Sequence, residues 1–279
     1  MKHIEIPEVQ RSLYIPENLM ECNGLEYVKI CHHLYEFSLG HITYEDFKVR
    51  AITELLGYRF HPKKSSKSAL ENLCLLSSIM EGYFEDYDGA KQIKLDFIDL
   101  KIRHIKSFYR KFYSPGEVFQ EMIYGQYADA SRLFLQYSQT QDEELLYLIT
   151  AILYLRKKEV YNSNLIEAKA SILKSFVSKA EIYGVYLQFA AFQKYITSAE
   201  VEWGNQQLDF SIIFDVNEVQ TEKIPGLGAD AIIFTLAETG VFGTVKQVRK
   251  SKFWEVILRM YDLRKRDLDY QNLQNVENK

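Results

Sequence analysis

Residues Leu145–Leu155 read Leu-Leu-Tyr-Leu-Ile-Thr-Ala-Ile-Leu-Tyr-Leu, an uncharged run entered by Asp142-Glu143-Glu144 and left by Arg156-Lys157-Lys158. Acids ahead of the run and bases behind it match the two ends of a helix dipole. A helix apolar on every face is buried, and this one is too short for a hydrocarbon core, which needs about 20 residues. The run is expected to be the central helix of a folded core. On either side, Phe119–Tyr137 and Leu165–Phe192 carry apolar residues mainly on one helical face, so they can pack around it.

Towards the N-terminus, Leu25, Val28, Ile30, Cys31, Leu34, Tyr35 and Phe37 have near-helical spacing and stop at Gly40. Thr43-Tyr-Glu-Asp46 opens a second helix, through Phe47, Val49, Ile52, Leu55 and Leu56 to Gly57. The basic connection Lys63–Ser68 leads to a third helix over Ala69–Met80, then a loop through Gly82, Asp86, Asp88 and Gly89. Ile4–Pro16, with two prolines, suits an extended arm or an edge strand. Ile93, Leu95 and Phe97 alternate with polar residues, as do Ile98, Leu100 and Ile102, with a slip of phase at Phe97-Ile98. That pattern predicts a bulged strand or two strands in close succession.

Towards the C-terminus, Gln207–Asp215 fits a short strand or a helix end. Val216–Lys223 is expected to be an exposed acidic loop and Pro225–Gly228 a turn, with Asp230 capping a helix over Ala231–Glu238. A last amphipathic helix runs from about Ser251 to Tyr270, with a frayed tail over Gln271–Lys279. The fold class read from these elements is mainly α (α+β), a helical bundle core around the buried central helix with a small β element near 91–106. Three segments are expected: an N-terminal arm and helical subdomain (1–90), the β element and central core (91–215), and a C-terminal helical segment (216–279).

A hydrophobic content of 47% with 26% charged residues is that of a folded chain, and 20 Tyr and 17 Phe lean towards surfaces that touch other proteins. The net charge of −4 argues against a general nucleic-acid binder, which relies on a surplus of Lys and Arg. Cys22, Cys31 and Cys74 show no paired spacing, so reduced thiols in a cytosol are the simplest reading. The N-terminus lacks the apolar run of a signal peptide and no stretch has membrane-spanning length, so a soluble cytoplasmic protein is expected.

Three sets of residues invite a chemical reading. His32-His33, with Cys31 beside them and His41 downstream, concentrate possible metal ligands, but neighbours on a helix point about 100° apart and do not converge. Glu200, Glu202, Asp209 and Asp215 surround Trp203-Gly204, where paired carboxylates beside an aromatic would suit glycoside chemistry. Ile224-Pro-Gly-Leu-Gly228 looks like a phosphate-cradling turn, yet lacks the lysine of a P-loop and the third glycine of a dinucleotide fingerprint. Neither a metal nor an organic cofactor is expected. The C-terminal segment is different in kind: between Lys246 and Asp267 it sets eight bases against three acids, around Trp254 and Tyr261.

Ile15-Pro-Glu-Asn-Leu-Met-Glu-Cys22, Tyr44-Glu-Asp-Phe47 with Leu55-Leu56-Gly57, Asp209-Phe-Ser-Ile-Ile-Phe214, and Ala237-Glu-Thr-Gly-Val-Phe-Gly243 with Arg259-Met-Tyr-Asp-Leu-Arg264 are the strings of a resemblance. They resemble a group of proteins from Bacteroidetes genomes and their phages or prophages. No string carries a catalytic residue; the resemblance implies a setting, virion or tail-region structure and assembly, in the bacterial host cell or on the virion. The expected function is that of a non-catalytic structural or assembly protein, with an enzyme or regulator built on the acids around Trp203 as the alternative. Its partners would be other proteins or a second copy, without a small-molecule substrate. The expected contact residues lie on the last helix: Phe253, Ile257, Met260 and Tyr261 at i, i+4, i+7 and i+8, flanked by Arg259 and Arg264.

Overall fold

A computed structural model describes residues 1–6, 11–57, 67–198, 200–203, 206–214 and 229–277. They form a mainly α fold with small antiparallel sheets, divided into two compact units. Neither unit is one continuous segment: the first is Met1–Ile102 with Val177–Ala191, the second Arg103–Phe176 with Phe192–Lys279.

In the first unit the expected arm is a hairpin, β1 (Lys2–Ile6) paired with β2 (Arg11–Ile15). Helix α1 (Gly24–Ser38) starts with a capping box, Asn23 accepting from Glu26 N–H while the Glu26 carboxylate accepts from Asn23 N–H. Helix α2 (Tyr44–Leu56) opens the same way on Thr43 and Asp46, and stops at Gly57, whose φ of +63° suits a residue without Cβ. Helix α3 (Lys67–Ser77) ends earlier than Met80. The chain tightens there into a 3-10 turn, Ser78–Tyr83, that buries Met80 and Tyr83. What reads as a loop through Asp86 is a hairpin, β3 (Phe84–Tyr87) with β4 (Ala90–Ile93), turned by Asp88-Gly89.

The alternation over Ile93–Ile102 is not a strand beyond Ile93. Phe97 and Ile102 are buried one at a time, and Ile102 N–H donates to the Gln188 side chain at 3.2 Å instead of to a ladder partner. Helix α7 (Lys179–Ser198) closes this unit with its first turns, where the Tyr27 hydroxyl donates to Gly184 O at 2.8 Å.

In the second unit, β5 (His104–Ser107), β6 (Arg110–Tyr113) and β7 (Leu155–Arg156) form one antiparallel sheet. Helix α4 (Tyr124–Thr140) and α6 (Ile166–Phe176) both pack on α5 (Glu143–Leu153), the expected central helix. Asp142 caps α5 by accepting from Glu144 N–H, and Ile149, Thr150, Ala151 and Ile152 are fully enclosed. The central run outlasts its helix: Leu155 and Arg156 join the sheet, so the bases Arg156–Lys158 lie beyond the last helical turn and do not cap its dipole. Leu165–Phe192 is two helices, not one, because Ser178 and Glu181 form a capping box that starts α7 afresh.

Glu200–Trp203 forms β8, and the ambiguous stretch after it is both strand and helix, β9 (Gln206–Asp209) then α8 (Ser211–Phe214). Asp230 sits inside the first turn of α9 (Ala229–Glu238) instead of capping it. Helix α10 (Val245–Lys250) leads into α11, which runs over Phe253–Glu277 and so continues through Gln271–Glu277, where fraying is expected from sequence. Val216–Lys223 and the Ile224–Gly228 turn lie outside the described residues. Among those described, no helix is long and apolar enough to cross a membrane.

Candidate functional site

The start of α11 is fixed by main-chain bonds. Phe253 N–H donates to Met122 O and Tyr124 N–H to Ser251 O, each at 2.9 Å, and the Trp254 indole donates to Val118 O at 3.1 Å. Phe253 and Ile257 are fully enclosed, the Phe253 ring 4.6 Å from Tyr127 and 5.3 Å from Phe192. Two residues of the expected contact stripe are thus committed to the chain's own core.

The remaining four are half-buried. Tyr261 meets Phe210 edge-on at 5.6 Å, Arg264 donates to Ile212 O at 3.3 Å, and Arg259 pairs with Asp262 at 2.6 Å. Met260 and Leu263, with Ile213, Ile232 and Leu236, wall an apolar groove of about 240 Å³. Over residues 265–274 only Leu268 is half-covered, and Tyr270 and Leu273 stand 64% and 65% exposed.

A partly buried ion pair holds α10, and with it the approach to α11. Asp129, on the enclosed side of α4, accepts from Arg249 at 2.5 Å and from the Tyr161 hydroxyl at 2.6 Å. Burial alone would lower the Arg249 pKa; the Asp129 carboxylate outweighs it and raises the value. Burial and the same carboxylate push the Tyr161 phenol up.

His33 is buried with its Nε2 lacking a hydrogen-bond partner, and burial together with the neighbouring His32 pushes its pKa down to about 4. Among the described residues, no group of three or more His, Cys, Asp or Glu side chains is placed to hold a metal ion. The β8–β9 register sets Glu200 opposite Asp209, but Asp209 is exposed and accepts from Ser211 N–H at 2.9 Å, the work of a helix cap. Asp215 lies outside the described residues.

One surface has no counterpart in the sequence reading. The β5–β6 hairpin sets Lys106 directly opposite Lys111 and His104 opposite Tyr113, all on the face away from the buried Ile105–Phe112 pair. Lys111 lies 5.1 Å above the Tyr113 ring. The two-residue turn is Phe108-Tyr109, both 78% exposed, with Phe108 at a φ of +51°. Tyr113 also borders a cleft of about 560 Å³ lined by Arg103, Arg156, Lys157, Lys158 and Lys252 against only Glu121 and Glu159. Glu159 is already held by the buried Lys169 at 2.8 Å and by Arg156 N–H at 2.7 Å, contacts that lower its pKa despite burial. Burial lowers the Lys169 pKa, with Glu159 opposing.

No family model, no curated protein and no solved structure matches the chain.

Proposed function

We propose that the protein is a non-catalytic assembly subunit that pairs with a second copy of itself, the distal half of α11 from one copy lying against the α8–α9–α11 groove of the other. The observation that carries this reading is that α11 remains helical to Glu277 although its fully buried residues end at Ile257. An isolated stretch of about ten helical residues is marginal in water and gains stability from packing. Tyr270 and Leu273 offer apolar surface for such packing, and the groove at Met260 and Leu263 offers a seat. Lys265, Arg266, Asp267 and Asp269 mix both signs on the projecting turns, so a copy of the same helix meets no net repulsion. The phage-type resemblance implies the same role, a component or assembly factor of a virion or tail region.

Sedimentation velocity over a range of concentrations tests the reading, comparing the full chain with one ending at Asp267. That truncation leaves Phe253, Trp254, Val256 and Ile257 in place, whereas ending at Lys250 would remove core residues. The full chain is expected to move from monomer to dimer as concentration rises while the shortened chain stays monomeric. A full chain that stays monomeric throughout overturns the proposal.

A further inference from the structure

We infer that the outer face of the β5–β6 hairpin, with its aromatic turn and the adjoining basic cleft, binds single-stranded nucleic acid. Three features point to a polyanion. Lys106 and Lys111 are directly opposite across the ladder, an arrangement that repels and that folding alone does not favour. Among the described residues Lys106, Lys157 and Lys158 have no ion-pair partner; of the acids nearby, Glu117 pairs with Arg103 and Glu159 with Lys169, which leaves Glu121 against the bases that line the cleft. The net charge of −4 conceals this local excess because the acids lie elsewhere along the chain.

The aromatics select a single strand over other polyanions. Two-residue hairpin turns favour Asn-Gly, and a bulky side chain at positive φ is strained. Here Phe108 adopts +51°, and both Phe108 and Tyr109 stand in solvent, where they contribute little to the chain's own core. The Phe108 ring stacks on Phe176 at 5.7 Å, which holds it in a fixed orientation, and Arg110 lies 5.7 Å from the Tyr109 ring centre. Flat exposed rings beside cations form a stacking platform for unpaired bases with a backbone track next to it. Successive same-face pairs along a strand are ~7 Å apart, close to the phosphate repeat of an extended polynucleotide. A strand stacked on Phe108-Tyr109 would therefore pass Lys106 and Lys111, then Tyr113, and enter the cleft at Lys157 and Lys158.

The test is fluorescence anisotropy of the full chain with a fluorescein-labelled oligothymidylate about 15 nucleotides long, at several salt concentrations. Binding should weaken steeply with salt. Lys111→Glu is an informative variant because it sets a carboxylate opposite Lys106, which favours the hairpin while removing a phosphate partner. It should weaken binding about tenfold or more and flatten the salt dependence, with no loss of thermal stability. Phe108→Gly relieves the strained turn, and should also weaken binding about tenfold without destabilising the fold. No binding by the full chain at low salt overturns the inference. So does binding that both variants leave unchanged, or a duplex of the same length that binds as tightly as the single strand with Phe108→Gly silent.

Discussion

Arg249 and Tyr161 converge on one carboxylate oxygen of Asp129, at 2.5 and 2.6 Å, while Arg132 reaches the other oxygen at 3.3 Å. Asp129 is 5% exposed, so its charge is stable there only because these donors replace water. Asp129→Ala would leave the Tyr161 hydroxyl without its acceptor and Arg249 with Asp230 alone, at 3.3 Å, and should cost about 2 to 3 kcal/mol. Arg249→Met should recover part of that loss in the double variant, because both changes remove the same interaction. Urea denaturation of the two single variants and the double variant checks it; strictly additive losses would show that the pair is not coupled.

The central helix gives a second prediction. Ile149→Ala and Ile152→Ala should each destabilise the protein by roughly 2 to 5 kcal/mol, the range for emptying a packed core site, since both are enclosed between α4 and α6. Lys157→Ala, on an exposed turn beyond the helix, should stay within about 0.5 kcal/mol of the parent. Isoleucine variants that melt with the parent protein would remove α5 from the core.

Two glycines make a third prediction. A Cβ at Gly125 would meet Arg249 O at 2.9 Å, and one at Gly184 would meet Ile102 Cδ1 at 2.8 Å and the Tyr27 ring at 3.0 Å. Alanine gains about 1 kcal/mol of helix propensity over glycine, but overpacking costs about 1 to 3. Gly125→Ala should be the more damaging, because it presses on backbone, whereas the Ile102 side chain can turn aside. Thermal melts that rank the two in the opposite order would contradict this account of the close approaches.

His33 supplies a pH dependence. Its folded pKa is depressed to about 4 by burial and by His32, against an ordinary 6.5. Between those values the unfolded chain takes up a proton that the folded chain refuses, so stability is complete above pH about 6.5 and is lost as pH falls towards 4. The loss should be on the order of 2 kcal/mol, and His33→Gln should flatten the stability profile over that window. A parent and variant with parallel profiles between pH 4 and 6.5 would show that His33 is not the titrating group.

The helical core was legible because its signals are local. Asp142 and the uncharged run announce α5, and Thr43 with Asp46 announces α2. The Ser178–Glu181 capping box was equally local, and it is the break that a reading of Leu165–Phe192 as one amphipathic stretch passes over. The hairpins were harder: Phe108-Tyr109 is no ordinary turn signal, and the alternation of Ile93–Ile102 mimics a strand although its members are buried separately. The repeated Tyr-Gly-x-Tyr at 124–127 and 183–186 reads as coincidence along the chain, yet each glycine marks a close approach. The candidate surfaces were less legible still. The opposition of Lys106 and Lys111 depends on register, and the cleft gathers Arg103, Lys157 and Lys252 from distant segments. Only the terminal stripe could be read directly, and its division into a buried half and an uncovered half follows from where α8 and α4 end their contact with it.

Hydrogen exchange over Leu268–Glu277, followed as protein concentration is raised, tests most directly whether the far half of α11 is the contact between copies. Uncovered, these turns should fray and exchange fast; covered by a second copy, they should be protected. The account predicts protection that grows with concentration over Leu268–Glu277, while α5 exchanges at the same slow rate throughout. Exchange over Leu268–Glu277 that is fast at every concentration would contradict it.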